Sequence, residues 1–237
     1  MVAAIDETAA DEPMTFKQAM KFPDKDLWQQ AIRVEVDSLV ENKVYEIVDR
    51  PGYKAVVSSK WAFKKKRGIS GEVEKYKARV VARGFTEEEG VDYYETFPPT
   101  VRCESVRVML AEAAAKGLHT AQMDVTTAFL YADLEEEVYM EIPDGMFDQP
   151  MPSKVLRLLK ALYGLKQSSR MWNLHIDKVL GQCGFKRLMA DFCVYIIGEG
   201  CKGRRNANDP CYKDKQFTRR MEIGMGKSHM KRVNYMS

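Results

Sequence analysis

The chain has 237 residues, 45% of them hydrophobic and 30% charged, enough for a core that folds without disulfides or metal. Its net charge of +3 conceals segregation: residues 54–85 carry ten Lys or Arg against two Glu, residues 86–148 three against fifteen acids, and residues 201–237 ten against three. No apolar run nears the ~18–20 residues of a membrane span, no basic and apolar leader opens the chain, and five scattered cysteines lack C-x-x-C spacing; the expectation is an intracellular protein, cytoplasmic or nuclear, with no disulfide framework or zinc site.

Residues 1–15 are acidic and read as disordered. Leu27, Trp28, Ala31, Ile32, Val34 and Leu39 recur at helical spacing, which predicts a helix over residues 26–40 capped by Asp24 or Asp26. VYEIV (44–48) alternates as a short strand and stops at Arg50-Pro51-Gly52. SSKWAFKKK (58–66) and VEKYKARVVAR (73–83) read as the arms of a hairpin, with Gly68 and Gly71 in the turn. Period 2 gathers Lys60, Lys64 and Lys66 on one face of the first arm, and Lys75, Lys77 and Arg79 on one face of the second. Such a ribbon suits a phosphate backbone, and an ordinary solvated strand face has the same pattern.

ESVRVMLAEAAAK (104–116) predicts an Ala-rich helix with Val106, Met109, Leu110 and Ala113 on one side and Gly117 past its end. HTAQMDV (119–125) reads as a strand ending near Asp124, followed by a turn or short helix. VYMEI (138–142) and VLRLLK (155–160) are strand-like; residues 168–183 predict a helix with Trp172, Ile176, Val179 and Leu180 on its apolar side; DFCVYII (191–197) reads as a last strand. Residues 201–237 form a basic tail without period. Interleaved strands and helices, with hairpins predominating, predict an α+β fold with a mixed or antiparallel sheet.

A lone strand-end carboxylate such as Asp124 is commonly a turn cap, and His119, His175 and His229 lack metal-ligand spacing. The chain contains no P-loop, nucleophile-elbow or zincin motif. Five strings stand in a fixed order: WAFKKK (61–66), YKARVVARGF (76–85), GVDYYETFPPTVR (90–102), QMDVTTAFLYADLEEEVYMEIPDGM (122–146) and LLKALYGLKQSSRMW (158–172). Together they resemble the reverse transcriptase region of Copia-type LTR retrotransposon polyproteins, over about residues 16–200.

The resemblance implies an RNA-directed DNA polymerase with right-hand fingers and an incomplete palm. Its partners would be an RNA or DNA template-primer and a dNTP. Two Mg²⁺ ions held by carboxylates would stabilise the attacking and leaving oxygens. Asp124 matches the family's first metal-binding carboxylate, with the Val125 backbone beside it. Phe129 matches the residue under the dNTP sugar, Lys77 and Arg79 lie where the triphosphate is contacted, and Gln167 matches a Gln near dNTP and template. Lys60, Lys64, Lys66 and Lys75 extend the nucleic-acid contact. The family's remaining catalytic carboxylates belong to a Y-V-D-D hairpin, and no Asp-Asp pair occurs in this sequence. The expectation is therefore a truncated and inactive polymerase fragment; the alternatives are a non-catalytic nucleic-acid-binding fragment or a transposon relic with no retained role.

Overall fold

The computed structural model describes residues 11–118, 120–197 and 230–233. In chain order its elements are helices α1 (Phe16–Ala19) and α2 (Lys25–Glu41), strands β1 (Tyr45–Asp49), β2 (Ser59–Arg67) and β3 (Val73–Ala82), helix α3 (Cys103–Ala115), strands β4 (Gln122–Val125), β5 (Asp133–Met140) and β6 (Lys154–Lys160), helix α4 (Ser168–Gln182), and strands β7 (Phe185–Arg187), β8 (Tyr195–Ile197) and β9 (Met230–Val233). The fold is α+β with antiparallel sheets, as the sequence predicts. It divides into two units, residues 1–96 with 133–168 and residues 97–132 with 169–237. No helix among the described residues is long and apolar enough to cross a membrane.

In the first unit β2 alternates strictly: Trp61, Phe63 and Lys65 are buried, while Lys60, Ala62, Lys64 and Lys66 are exposed. Its inner side chains meet Ala78, Val80 and Ala82 of β3 and the buried face of α2, Trp28, Ala31, Ile32 and Leu39. Trp28 stands edge-on to Phe63 and Tyr76, with ring centroids 5.2 and 4.7 Å away. Each large side chain buried here contributes roughly 1.5–3 kcal/mol.

Lys65 interrupts this apolar series. Its ammonium lies 3.0 Å from carboxylate oxygens of both Asp24 and Asp11, and Asp24 also accepts the Tyr76 hydroxyl at 2.8 Å. Asp24 does sit at the N-cap of α2, but its side chain makes no cap hydrogen bond because Lys65 and Tyr76 claim it. Those two hydrogen bonds hold its carboxyl below the usual carboxylate range. The N-terminal segment is recruited to the same place: Glu12 accepts the Lys65 backbone N–H at 2.7 Å, and Thr15 caps α1 through the Gln18 N–H at 3.2 Å. Residues 11–15, read from the sequence as disordered, lie against β2 here, and residues 1–10 lie outside the described residues.

A three-stranded sheet of order β1-β6-β5 completes this unit, with Ile47 opposite Leu156 and Val138 opposite Leu158. Val138, Leu156 and Leu158 lie buried on one of its faces, and Val155, one residue out of step, is buried on the other. Val57, just before β2, bridges to Met140 and ties the hairpin's root to this sheet.

In the second unit Val179 of α4 centres a cluster with Val125, Trp172, Ile176, Leu180 and Cys183. Helix α3 forms where expected, but none of its residues is buried, and Val108 and Leu110 are 64% and 55% exposed. Its N-terminus is capped from a distance. The Asp191 carboxylate accepts N–H groups of Arg102 (3.1 Å) and Cys193 (2.9 Å), and with the Ser105 hydroxyl these bonds hold it below the usual range. That turn shortens the strand expected over 191–197 to Tyr195–Ile197. The strand expected over 119–125 is limited to Gln122–Val125, and its partner is β9 from the basic tail, where no element was expected.

Glu35 of α2 supports the open edge of β3, its carboxylate accepting the Val80 N–H at 3.2 Å. Burial pushes this carboxyl above its ordinary value near 4.5, against the Val80 hydrogen bond and the charges of Arg79 and Lys77. A raised folded value stabilises the fold at low pH, and that contribution is lost as pH rises through it. Glu35→Gln keeps an acceptor and carries no charge, so thermal melts should show its stability relative to wild type improving from about pH 4 to about pH 7. Glu35→Ala strands the Val80 N–H and should cost about 1–3 kcal/mol.

Candidate functional site

The β2–β3 register sets Lys64 opposite Lys77, Lys66 opposite Lys75, Ala62 opposite Arg79 and Lys60 opposite Val81. Directly opposed residues share a face of an antiparallel pair. All six sequence-predicted cations thus line one side of the ribbon, five of them exposed and Lys77 half-buried. Like charges directly opposed repel. Burial first, then the charges of Lys66, Arg79 and Lys75, pull Lys77 down to about 8. Glu12 reaches Lys64 at 3.3 Å, and among the described residues no other carboxylate forms an ion pair with these six. The face therefore carries six cations, five exposed and one half-buried, with Glu12 as their one ion-pair partner among the described residues.

The segment between β6 and α4 is fastened to the root of this hairpin. The Ala82 N–H donates to the Tyr163 carbonyl at 2.8 Å, and the Arg79 guanidinium lies 4.8 Å over the Tyr163 ring. The Glu87 carboxylate accepts the Lys166 N–H at 2.9 Å, while the Lys166 ammonium donates to the Glu87 carbonyl and sits 4.6 Å over the Tyr93 ring. Gln167 is fully buried and donates from Nε2 to the Asp92 carbonyl at 3.1 Å. It lies inside the fold, holding the Asp92 loop, and not on an open surface. Sequence reasoning missed Tyr163, Glu87 and Asp92. The two acids belong to a run that reads as solvated, and only the adjoining glycines hint at close packing.

In the second unit Asp124 is exposed on β4, and Val125 turns into the Val179 cluster. Thr127 adopts φ +55°, a left-handed conformation disfavoured for a β-branched residue. Phe129, half-buried, follows in the 3-10 turn Ala128–Tyr131. The residue paired with Asp124 across the β4–β9 ladder is Lys231, and the β9 sequence Met-Lys-Arg-Val has no carboxylate. Among the described residues no group of three His, Cys, Asp or Glu side chains is placed to hold a metal ion. One carboxylate with a lysine in register does not fit the two-Mg²⁺ site that the resemblance implies.

A cleft of about 660 Å³ lies between α2 and the loop 141–154 in the first unit, lined among others by Arg33, Asp37, Asp144 and Lys154. It contains none of the sequence-predicted site residues.

A family model described as reverse transcriptase (RNA-dependent DNA polymerase) matches residues 42–205. The retrovirus-related Pol polyprotein from transposon TNT 1-94 of Nicotiana tabacum is 39% identical over 185 residues, 78% of this chain and 14% of that polyprotein. The Pol polyprotein from transposon RE2 of Arabidopsis thaliana is 37% identical over 193 residues, 81% of this chain and 13% of its own. The transposon Ty1-ER2 Gag-Pol polyprotein of Saccharomyces cerevisiae is 32% identical over 196 residues, 78% of this chain and 10% of its own. This chain thus spans about a seventh or less of the relatives it resembles. No solved structure matches it.

Within the matched span Gly164, whose φ is +95°, lies against the backbone of β3. A Cβ there would overlap the Ala82 carbonyl oxygen, and one at Gly84 would overlap the Gly164 carbonyl. Gly164→Ala should therefore lower the melting temperature well beyond the ~1 kcal/mol scale of a typical surface change, and proteolysis should report opening at the hairpin's root.

Proposed function

The chain belongs to the reverse transcriptase (RNA-dependent DNA polymerase) family, and from that premise we propose that it is a reverse transcriptase segment of a transposon Pol polyprotein that binds nucleic acid through the β2–β3 face without polymerising. In this reading residues 16–200 form the fingers and part of the palm, and residues 201–237 are a basic tail. Lys77 and Arg79 take the most tightly held phosphates; Lys60, Lys64, Lys66 and Lys75 follow the backbone of a strand. One observation carries the reading: the register that opposes Lys64 to Lys77 and Lys66 to Lys75. A cationic ladder of this kind is relieved by a polyanion, and binding releases the polyanion's counterions.

Polymerisation is excluded from the proposal because Asp124 has a lysine in register and no carboxylate cluster around it among the described residues. Asp124, Val125 and Phe129 keep the family's sequence positions without the donor set that the chemistry requires.

Purified protein should show no template-dependent dNTP incorporation on an RNA template with Mg²⁺; incorporation that disappears in Asp124→Asn would overturn the reading. It should bind a single-stranded oligonucleotide without sequence preference, with affinity falling steeply as salt rises. Charge reversal at Lys64, Lys77 and Arg79 together should flatten the log–log salt slope by roughly two to three phosphate contacts, at ~0.7 each. Normal binding by that triple variant would place the contact elsewhere.

Lys77 also fixes a pH dependence. Its folded value of about 8 means that above this pH a polyanion must draw a proton onto Lys77 as it binds. Affinity should therefore decline as pH rises through about 8, and Lys77→Arg, which stays charged, should flatten that decline. Oligonucleotide titrations at a series of pH values decide this.

A further inference from the structure

We propose that Tyr163 is a positioning residue for phosphate recognition: its ring supports the face of the Arg79 guanidinium and leaves the in-plane N–H donors for a phosphate. The inference rests on the reading of the β2–β3 face given above.

Guanidinium recognises phosphate edge-on, through paired N–H donors in its plane, while its flat face is weakly hydrated and stacks on aromatic rings. Arg79 has such a ring beside it. Its guanidinium carbon lies 4.8 Å over the Tyr163 ring. Its strand neighbour across the hairpin is Ala62, too small to compete for it. Among the described residues no carboxylate pairs with it. An exposed arginine otherwise spreads over many rotamers, and binding must pay for ordering it. A ring beneath it lowers that cost in advance.

The backbone on both sides of the ring is fixed. The Tyr163 carbonyl accepts the Ala82 N–H, three residues from Arg79 on β3. The next residue, Gly164, is pressed against the Ala82 carbonyl in a conformation open to glycine. Four residues beyond Tyr163, Gln167 is locked to Asp92, and Lys166 is clamped by Glu87 between them. These contacts tie the linker that carries the ring to the root of β3. Nothing in this arrangement depends on a metal ion or on Asp124, so it serves strand binding whether or not chemistry follows.

The test uses the full chain with two probes, inorganic tripolyphosphate and a single-stranded oligonucleotide. Tyr163→Leu keeps apolar bulk and backbone but removes the π face; Tyr163→Phe keeps the face. Tyr163→Leu should weaken both probes about two- to five-fold, the range of an exposed cation–π contact, and Tyr163→Phe should bind as wild type. Arg79→Ala should weaken binding and lower the salt slope by about one contact. The Arg79→Ala, Tyr163→Leu double variant should bind no worse than Arg79→Ala alone, because the ring acts only through the guanidinium. Normal binding by Tyr163→Leu while Arg79→Ala is weakened overturns the proposal and leaves the cationic-face reading standing. Normal binding by Arg79→Ala removes Arg79 from the reading itself, and this inference with it. Additive losses in the double variant assign Tyr163 to packing alone, equal losses in Tyr163→Phe assign the effect to its hydroxyl, and either outcome overturns the proposal. Should Tyr163→Leu fail to fold, Tyr163→His, which retains a ring face, and Tyr163→Met, which does not, replace it with the same expected contrast.

Discussion

A buried ammonium organises the first unit. Lys65 lies on the inner face of β2 between apolar neighbours, with its side chain 5% exposed. A lone charge there would be costly, and the chain answers with two carboxylates, Asp24 from the start of α2 and Asp11 from the N-terminal segment. Burial alone would lower the lysine's proton affinity; hydrogen bonds to Asp24 and Asp11 raise it above its ordinary value, so it stays charged. The arrangement fixes three things together. It sets which face of β2 looks inward, docks α2 under the hairpin, and draws residues 11–15 across the outer end of the ribbon. Removing either carboxylate leaves a charge with half its partners, so the anchor behaves as a unit.

The outer face follows from the inner one. With Trp61, Phe63 and Lys65 turned in, strand geometry turns Lys60, Lys64 and Lys66 out, and the register brings Lys75, Lys77 and Arg79 beside them. No hairpin would choose this face for its own stability, since opposed lysines repel. Apolar burial against Trp28 outweighs the repulsion, which adds to burial in depressing the proton affinity of Lys77.

The second unit is less well closed. Asp191 caps α3, and Val179 gathers a cluster on α4, yet the apolar side chains of α3 remain exposed among the described residues. Strand β4 carries Asp124 beside a turn strained at Thr127 and takes β9, a strand of basic character, as its partner. Among the described residues no group of three His, Cys, Asp or Glu side chains gathers around Asp124.

The local periodicities were legible in the sequence alone. Period 2 in SKWAFKKKR and KYKARVV set out the hairpin and its cationic face, and period 3.6 located α2, α3 and α4, because both depend on neighbours within a few residues. The ordered family strings carried the relation to reverse transcriptases for the same reason, being contiguous text. Contacts spanning tens of residues were decided only by the tertiary structure. Asp24 leaves its cap for Lys65, 41 positions away. Gln167 turns inward to Asp92, 75 positions away, and Tyr163 comes under Arg79. The tail supplies a strand to β4 although MKRV has no strand signature of its own. Hydrogen bonds and ion pairs of this kind are fixed by which groups are buried together, and burial is a property of the whole fold that no window of sequence contains.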